Sequence, residues 1–553
     1  MGQPAAAVTP GAALDRFFED YYRRRPVTAT FTGVHAYDHA LPDWSPAGLS
    51  GAADEMRAQR ALLLAAGLVP DDRARRFPDE VDLALADGFL EIQVAEHEGP
   101  HFYRGNPALW TGEAIFAIVS LVTRDFAPVA DRLAAATTRM AEVPRFLGDA
   151  RHTLVESPEA WKAKARRECE AAEILFGRSL PAWFAACGAS ATTATAATAA
   201  ATIVRDGFRS FAQWIDQSLP AANHLTSAGE PFLDLLLRRG HYCDTPVGAL
   251  RDEALEALAE ARASLDAQAK PFGGWEDAQR QLAALHPTRE RYFDRFAEVW
   301  TAARAAALAH DLVSWPDAPI RYVPIPEHTR DAAPLLYYLF YRSPAAFDRL
   351  PIHDYVVTPV EVSIASDSAI TLNHVIHHGG IGHHVQNWHA YRSASRLGQV
   401  AAIDAASRIA MFSGGSLAEG WACYVCDLME EIGFLSPLEQ VSQQHSRVRL
   451  LARAVVDLSL HSGEIDLRAA ETFYREQGLM PAAAAAGEAV KTSMFPGAAV
   501  MYWLGTRGIH DLRHSCAARE GAAFSLRSFH DRLLSFGAIP VGLIDRLMTG
   551  RAA

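Results

Sequence analysis

Cysteine is scarce in this 553-residue chain, which holds only Cys169, Cys187, Cys243, Cys423, Cys426 and Cys516. Six thiols over this length are too sparse for a disulfide framework and fit a reducing compartment. Positive charge is also short: 52 Lys and Arg against 65 Asp and Glu leave a net charge of −13, which disfavours a nucleic-acid partner. The closest thing to a basic patch, Arg23-Arg24-Arg25, stands beside Glu19 and Asp20 and reads as a solvated helix end. The opening residues Met1-Gly2-Gln3-Pro4-Ala5-Ala6 carry no basic, apolar leader and no Ser or Thr at the sixth position for myristoylation. Long hydrophobic runs are missing too. The uncharged stretch from Ser179 to Val204 is mostly Ala and Thr, with Pro181 and Gly188 inside it, and is expected to be an Ala-rich helix with a lead-in loop. These absences together lead us to expect a cytoplasmic protein with no membrane partner.

What is present is apolar material arranged at helical spacing. Half of the residues are hydrophobic and 21% are charged, which is ample for a folded core and excludes a disordered scaffold. Val129, Leu133, Ala136 and Met140 recur on one face of a 3.6-residue period, as do Leu250, Leu255, Leu258 and Leu265. Pro144 and Pro158 are expected to punctuate the first set, and Asp244-Thr245-Pro246-Val247 to lead into the second. Segments with β character are few. Ile320 to Pro326 and His353 to Thr358 are the best, with prolines that mark short edge strands. No period of 20–50 residues recurs, which excludes a solenoid. The chain therefore reads as mainly α, with residues 1–310 a helical region of dispersed polar groups and 311–553 the region that carries chemistry, the two forming one continuous body.

The densest chemical signal is the run from Thr371 to His389, which holds His374, His377, His378, His383, His384 and His389. Imidazole is a common ligand for zinc and similar metals, so a metal site is the leading interpretation; the plain one is solvated or core histidines satisfied by carbonyls. On a straight helix His374 and His378, four apart, would share a face, whereas His377 and His383 would lie about 120° apart. Gly379, Gly380 and Gly382 make a regular helix costly there. A glycine-rich widened turn could instead bring His377 and His383 to one ion.

Here the sequence resembles the domain-of-unknown-function 885 family, helical proteins regarded as zinc peptidases. His377-His378-Gly379-Gly380-Ile381-Gly382-His383-His384-Val385-Gln386 is similar to that family's His-Glu-Ala-x-Pro-Gly-His-His-x-Gln. In the same order follow Glu419-Gly420-Trp421-Ala422-Cys423-Tyr424, Arg453 to Asp457 with His461, Pro496-Gly497 with Tyr502 and Gly505, and Phe529-His530-Asp531 with Gly537 and Pro540. Pro26 to Gly33 also fits, so the resemblance spans nearly the whole chain. It implies a large helical zincin-like body with a deep cleft and a few short strands. It further implies one divalent metal, zinc before iron or manganese, on His377, His383 and Glu419; Tyr502 and His461 as catalytic groups stabilising an oxyanion or holding a carboxylate; and His384, Gln386 and Arg453 as substrate contacts. Plainer roles stand beside these: Glu419 as an acid near a helix N-terminus, Tyr502 as a core ring, Arg453 and Asp457 as a structural pair one turn apart.

Several departures fall at the site. The family's glutamate base is His378 here, its proline is Ile381, its Gln after Pro-Gly is Ala498, and an acid seven residues after Glu419 is Cys426. A neutral imidazole can take a proton from water, so His378 stands as base, metal ligand or inert replacement. Cys423 and Cys426 share a helix face with Glu419 and suit packing better than chemistry. The leading expectation is a metal-dependent hydrolase of an amide or peptide-like small substrate. Its competitors are a lyase or iron-dependent redox enzyme on the same scaffold, an inactive peptide or small-molecule binder, and a storage or structural protein.

Overall fold

A computed structural model describes residues 8–68, 76–336, 342–348, 350, 352–406 and 408–550. The first six residues weighed above for a leader lie outside the described residues. α-Helices account for most of the chain, and the strands among the described residues are two short pairs: Ile320–Pro324 runs parallel to His353–Val357, and Asp404–Ala405 pairs antiparallel with Arg408–Ile409.

The core of the first half is built round the Pro107–Val122 helix, every residue of which is buried. Its sequence explains this, because Glu113 is its only charged residue and apolar side chains face all directions. Asn106 caps it, its carboxamide oxygen accepting the Ala108 N–H at 3.1 Å. Against it packs the Val129–Thr153 helix, which does not stop at Pro144 as expected but runs through it. Pro144 is half-buried, while Val143, Phe146 and Leu147 beside it are buried; their packing offsets the roughly 3 kcal/mol that an interior proline costs. Pro158 does punctuate, standing immediately before the Glu159–Ile174 helix. The Ala/Thr run becomes the Ala191–Gln217 helix, capped by Ser190 and buried along Ala197, Ala201, Val204, Phe208, Phe211 and Ile215. No helix of the described residues is long and apolar enough to cross a membrane.

Two further expectations need correction. In the Val247–Ala269 helix the buried face runs through Leu250, Ala254, Leu258, Ala261 and Leu265; Leu255 lies off it, exposed, because the five-residue step from Leu250 turns it away. Arg23-Arg24-Arg25 is not simply a solvated end. Arg24 is largely buried and bonds Glu55 and Gln59, while the Arg25 guanidinium lies over the rings of Tyr21 and Phe89, so only part of the cluster faces water.

One apolar cluster extends from Ala13 to Met548 and mixes side chains of both halves. A second joins the Val247–Ala269 helix to Pro437–His461 through Leu250, Leu258, Leu265, Val448 and Val455. The Gly415–Glu431 and Met501–Glu520 helices cross at close range, and this crossing positions the site described next.

Candidate metal and substrate site

The histidine run folds as two pieces. Residues Ala369–Gly379 form a widened, π-type helix, and His383–Ala390 begins a new α-helix. Between them the chain turns at Gly380-Ile381-Gly382, with the Gly382 N–H donating to the Ile376 carbonyl at 2.9 Å. A Cβ on Gly382 would overlap the His377 carbonyl, so the turn is open only to glycine. Two indoles pin it from outside: Trp421 Nε1 donates to the Ile381 carbonyl at 2.9 Å and Trp300 Nε1 to the Gly379 carbonyl at 3.0 Å.

This turn brings His377 and His383 together. Their ring centroids are 4.9 Å apart, and both Nε2 atoms approach Glu419 Oε2, at 3.4 and 3.5 Å. His378 joins them: each of His377, His378 and His383 offers a nitrogen within 4.8 Å of the others. The straight-helix pair His374 and His378 is not what converges, since His374 Nδ1 is bonded to the Tyr355 hydroxyl at 2.8 Å. His384 turns the other way and donates Nε2–H to the Ala318 carbonyl at 2.8 Å, and His389 does the same to Ser314 at 3.2 Å.

The electrostatics follow from burial. His378 donates Nδ1–H to the Asn373 carbonyl at 2.7 Å, which makes Nε2 the basic nitrogen. Burial, helped by the neighbouring His377 and His383, holds its imidazole well below the usual value, so it is neutral. Burial also lowers His377, against the pull of Glu419. Burial opposes the charge on Glu419, but His383 and His377 outweigh it and keep the group a carboxylate. A neutral His377 and His378 and an ionised Glu419 are in the protonation states in which such side chains ligate a divalent ion, so these residues fit the expected metal.

The cluster opens on a cavity of 490 Å³ whose lining includes Gln386, Asp404, Cys423, Arg449, Arg453 and Tyr502. A narrower, apolar cavity of 140 Å³ continues from it, sharing Glu419, Arg453 and Tyr502 and bounded further on by Phe89, Ile92, Phe102, Leu236, Phe412 and Phe495. The first half of the chain thus supplies part of the wall. Tyr502 lies under the Arg453 guanidinium, 5.3 Å from the ring centroid to the cation carbon. Arg453 pairs with Glu488 through two bonds of 2.7 Å, not with Asp457. Asp457 instead accepts the N–H groups of Gly497, Ala499 and Val500, at 3.0, 2.9 and 2.8 Å, and so caps the turn that leads into Tyr502. Burial pushes its carboxyl up to about 7 despite those donors.

The structure does not bring His461 to this cavity. It is fully buried, receives the Ala228 N–H on Nδ1 at 3.1 Å and donates Nε2–H to the Thr492 carbonyl at 2.9 Å. The two cysteines line the cavity but are buried thiols raised by desolvation, and Cys426 donates to the Ala422 carbonyl at 3.3 Å. Sequence reasoning missed Asp404, which accepts the Ser343 N–H at 2.9 Å, and Arg449; neither belongs to a recognisable motif. From the closing motif, His530 donates to the Leu312 carbonyl and accepts the Tyr424 hydroxyl at 2.9 Å, bracing the helix that carries Glu419 from behind.

A mainly helical body with a histidine–carboxylate cluster on a broken helix is the class of protein that fold and site define. The chain belongs to the family of bacterial proteins of unknown function called DUF885, whose pattern it matches over residues 26–548. No curated protein matches it. Two solved structures share its fold. One, a "putative lipoprotein of unknown function" from Shewanella oneidensis, is 19% identical, with a TM-score of 0.76 over 98% of this chain and 100% of that one. The other, a "putative lipoprotein" from Colwellia psychrerythraea, is 16% identical, with a TM-score of 0.75 over 97% of this chain and 99% of that one.

Proposed function

We propose that the protein is a metal-dependent hydrolase of small amide or peptide-like substrates, built as a zincin-like body round the cavity. The observation that carries this reading is the convergence of His377 Nε2 and His383 Nε2 on Glu419 Oε2. These three side chains would hold one divalent ion, zinc before iron or manganese. Such an ion would supply an electrophile for a carbonyl oxygen and would acidify water.

The chain's own residues account for the rest. His378, neutral and with Nε2 as its basic nitrogen, takes a proton from water as the oxygen adds to the amide carbon. It returns the proton to the departing nitrogen as the C–N bond breaks. The Tyr502 hydroxyl donates to the oxygen on which charge develops, and Arg453, braced by Glu488, holds that ring in place. Gln386, 1% exposed with neither carboxamide atom bonded, is available to pair with a substrate amide.

The grouping of three imidazoles within 4.8 Å favours a second reading, in which His378 is itself a ligand. Three histidines and a carboxylate suit iron or manganese as well as zinc, and would support a lyase or redox reaction. Elemental analysis of the purified chain, followed by a panel of N-acyl amino acids and dipeptides with the zinc-loaded protein, tests the first reading. Metal bound with no amide cleaved would move the assignment to the second, and no metal bound would remove both.

A further inference from the structure

The wall of the cavity opposite the histidines is a polar stripe of the Pro437–His461 helix, presenting Ser442, Ser446, Arg449 and Arg453 at helical spacing. The two arginines differ in their partners. Arg453 is matched by Glu488. Arg449 makes no hydrogen bond and no ion pair with the described residues, and its Nε is shut off from solvent without an acceptor. The acidic groups of the same cavity are already engaged: Glu419 by His377 and His383, Asp404 by the Ser343 N–H and hydroxyl. A guanidinium carries five N–H donors and cannot shed its charge in a protein, so leaving it unmatched beside a cavity is costly unless a ligand completes it.

We propose that Arg449 is the binding residue for a carboxylate on the substrate, which makes the substrate a carboxylated amide of the N-acyl amino acid or dipeptide kind. Desolvation, then the charge of nearby Arg453, lowers Arg449 to about 10, against a weaker pull from Glu488, whose carboxylate is bonded to Arg453 and not to Arg449. A second, separate observation points to the same ligand. Gln386 lines this cavity with both carboxamide atoms buried and unbonded, so the cavity offers an unmatched amide partner and an unmatched carboxylate partner together. The adjoining apolar cavity between Phe89, Ile92, Leu236 and Phe412 gives such a molecule room for a hydrocarbon group. The inference rests on taking this cavity as the substrate site, and it adds what the metal cluster alone does not specify.

The test is calorimetric titration of the full chain, metal-free and zinc-loaded, with hydrocinnamate, N-acetylphenylalanine and N-acetylleucine, each beside its uncharged primary amide. Arg449→Met should weaken the three carboxylates by about 10- to 100-fold and leave the amides unchanged, and Arg449→Lys should recover part of the loss. Circular dichroism checks that each variant is folded, and Arg449→Lys serves alone if Arg449→Met is not. Equal affinity of variant and wild type for the carboxylates, or no saturable carboxylate binding by the wild type, overturns the inference. Carboxylate binding that requires zinc and ignores Arg449 overturns it while leaving the metal reading intact. Binding that depends on Arg449 in a chain that takes up no zinc upholds it and removes the metal reading.

Discussion

Gly420 and Gly505 face each other where the helix carrying Glu419 crosses the helix carrying Tyr502, so closely that a Cβ on Gly420 would stand 2.5 Å from the Gly505 Cα. A Cβ on Gly505 would in turn overlap the Ser416 carbonyl. This contact fixes the relation between a proposed ligand and a proposed oxyanion donor one turn or less away on each helix. Gly505→Ala should therefore lower stability by about 2–4 kcal/mol, through backbone displacement rather than lost burial. Urea unfolding followed by circular dichroism measures it, and an unchanged midpoint would mean that the two helices separate without cost.

Metal content gives the second prediction. Wild-type protein should carry one divalent ion per chain, and His377→Ala, His383→Ala and Glu419→Ala should each lose it, since three ligands leave little affinity when one is removed. His374→Ala should retain it, because that ring is bonded to Tyr355. Plasma emission on the dialysed proteins decides. Full content in all three ligand variants would remove the metal reading.

The helical class was legible in the sequence from its apolar spacing; three glycines within the histidine run made a straight helix costly and a turn joining His377 to His383 possible, and the family resemblance singled that pair out. The strands at 320 and 353 were legible from their alternating β-rich residues, and their prolines marked them as short. What stayed hidden depended on packing between distant segments. Pro144 reads as a stop until Val143 before it and Phe146 and Leu147 after it are seen buried along a continuing helix. His461 reads as a reactive imidazole until both nitrogens are found bonded to backbone from 228 and 492. Arg449 had no motif to mark it, and its interest lies in a partner it lacks, which no local pattern records.

Stability should also depend on pH through His35, which does not line either cavity. Its Nδ1 and Nε2 bond Asp38 at 2.8 Å and Asp348 at 2.9 Å, tying the segment after the Pro26–Thr32 helix to residue 348. Burial opposes its charge, but the two carboxylates outweigh it and raise the imidazole from 6.5 to about 9. Below 6.5 both folded and unfolded forms are protonated and the contribution is complete. Between 6.5 and 9 only the folded form keeps its proton, so the contribution shrinks, and above 9 it is gone. His35→Gln should then cost about 2 kcal/mol near pH 6 after allowance for partial exposure, and little of that difference should remain near pH 10. Urea midpoints at the two pH values check it; an equal cost at both would mean that the pair is not held by charge.

His378 decides between the two readings of the site. Its Nδ1 is committed to Asn373, so whatever it does is done by Nε2. As a base it is dispensable for binding the ion: His378→Ala should keep the metal and lower turnover by roughly 10²–10⁴, the usual worth of general acid–base catalysis. His378→Glu should then restore part of the rate and move the acidic limb of the pH profile down, because a carboxylate titrates below an imidazole. As a ligand the outcome reverses. His378→Ala would lose metal, and the rate would fall with occupancy rather than at full occupancy. Measuring metal content and rate on the same preparation separates the two, since a base lowers the rate per bound ion and a ligand lowers the number of ions. Retention of both metal and full rate would leave His378 no chemical role and shift the search for the proton acceptor to Asp404, the remaining carboxyl of the cavity not held by a histidine.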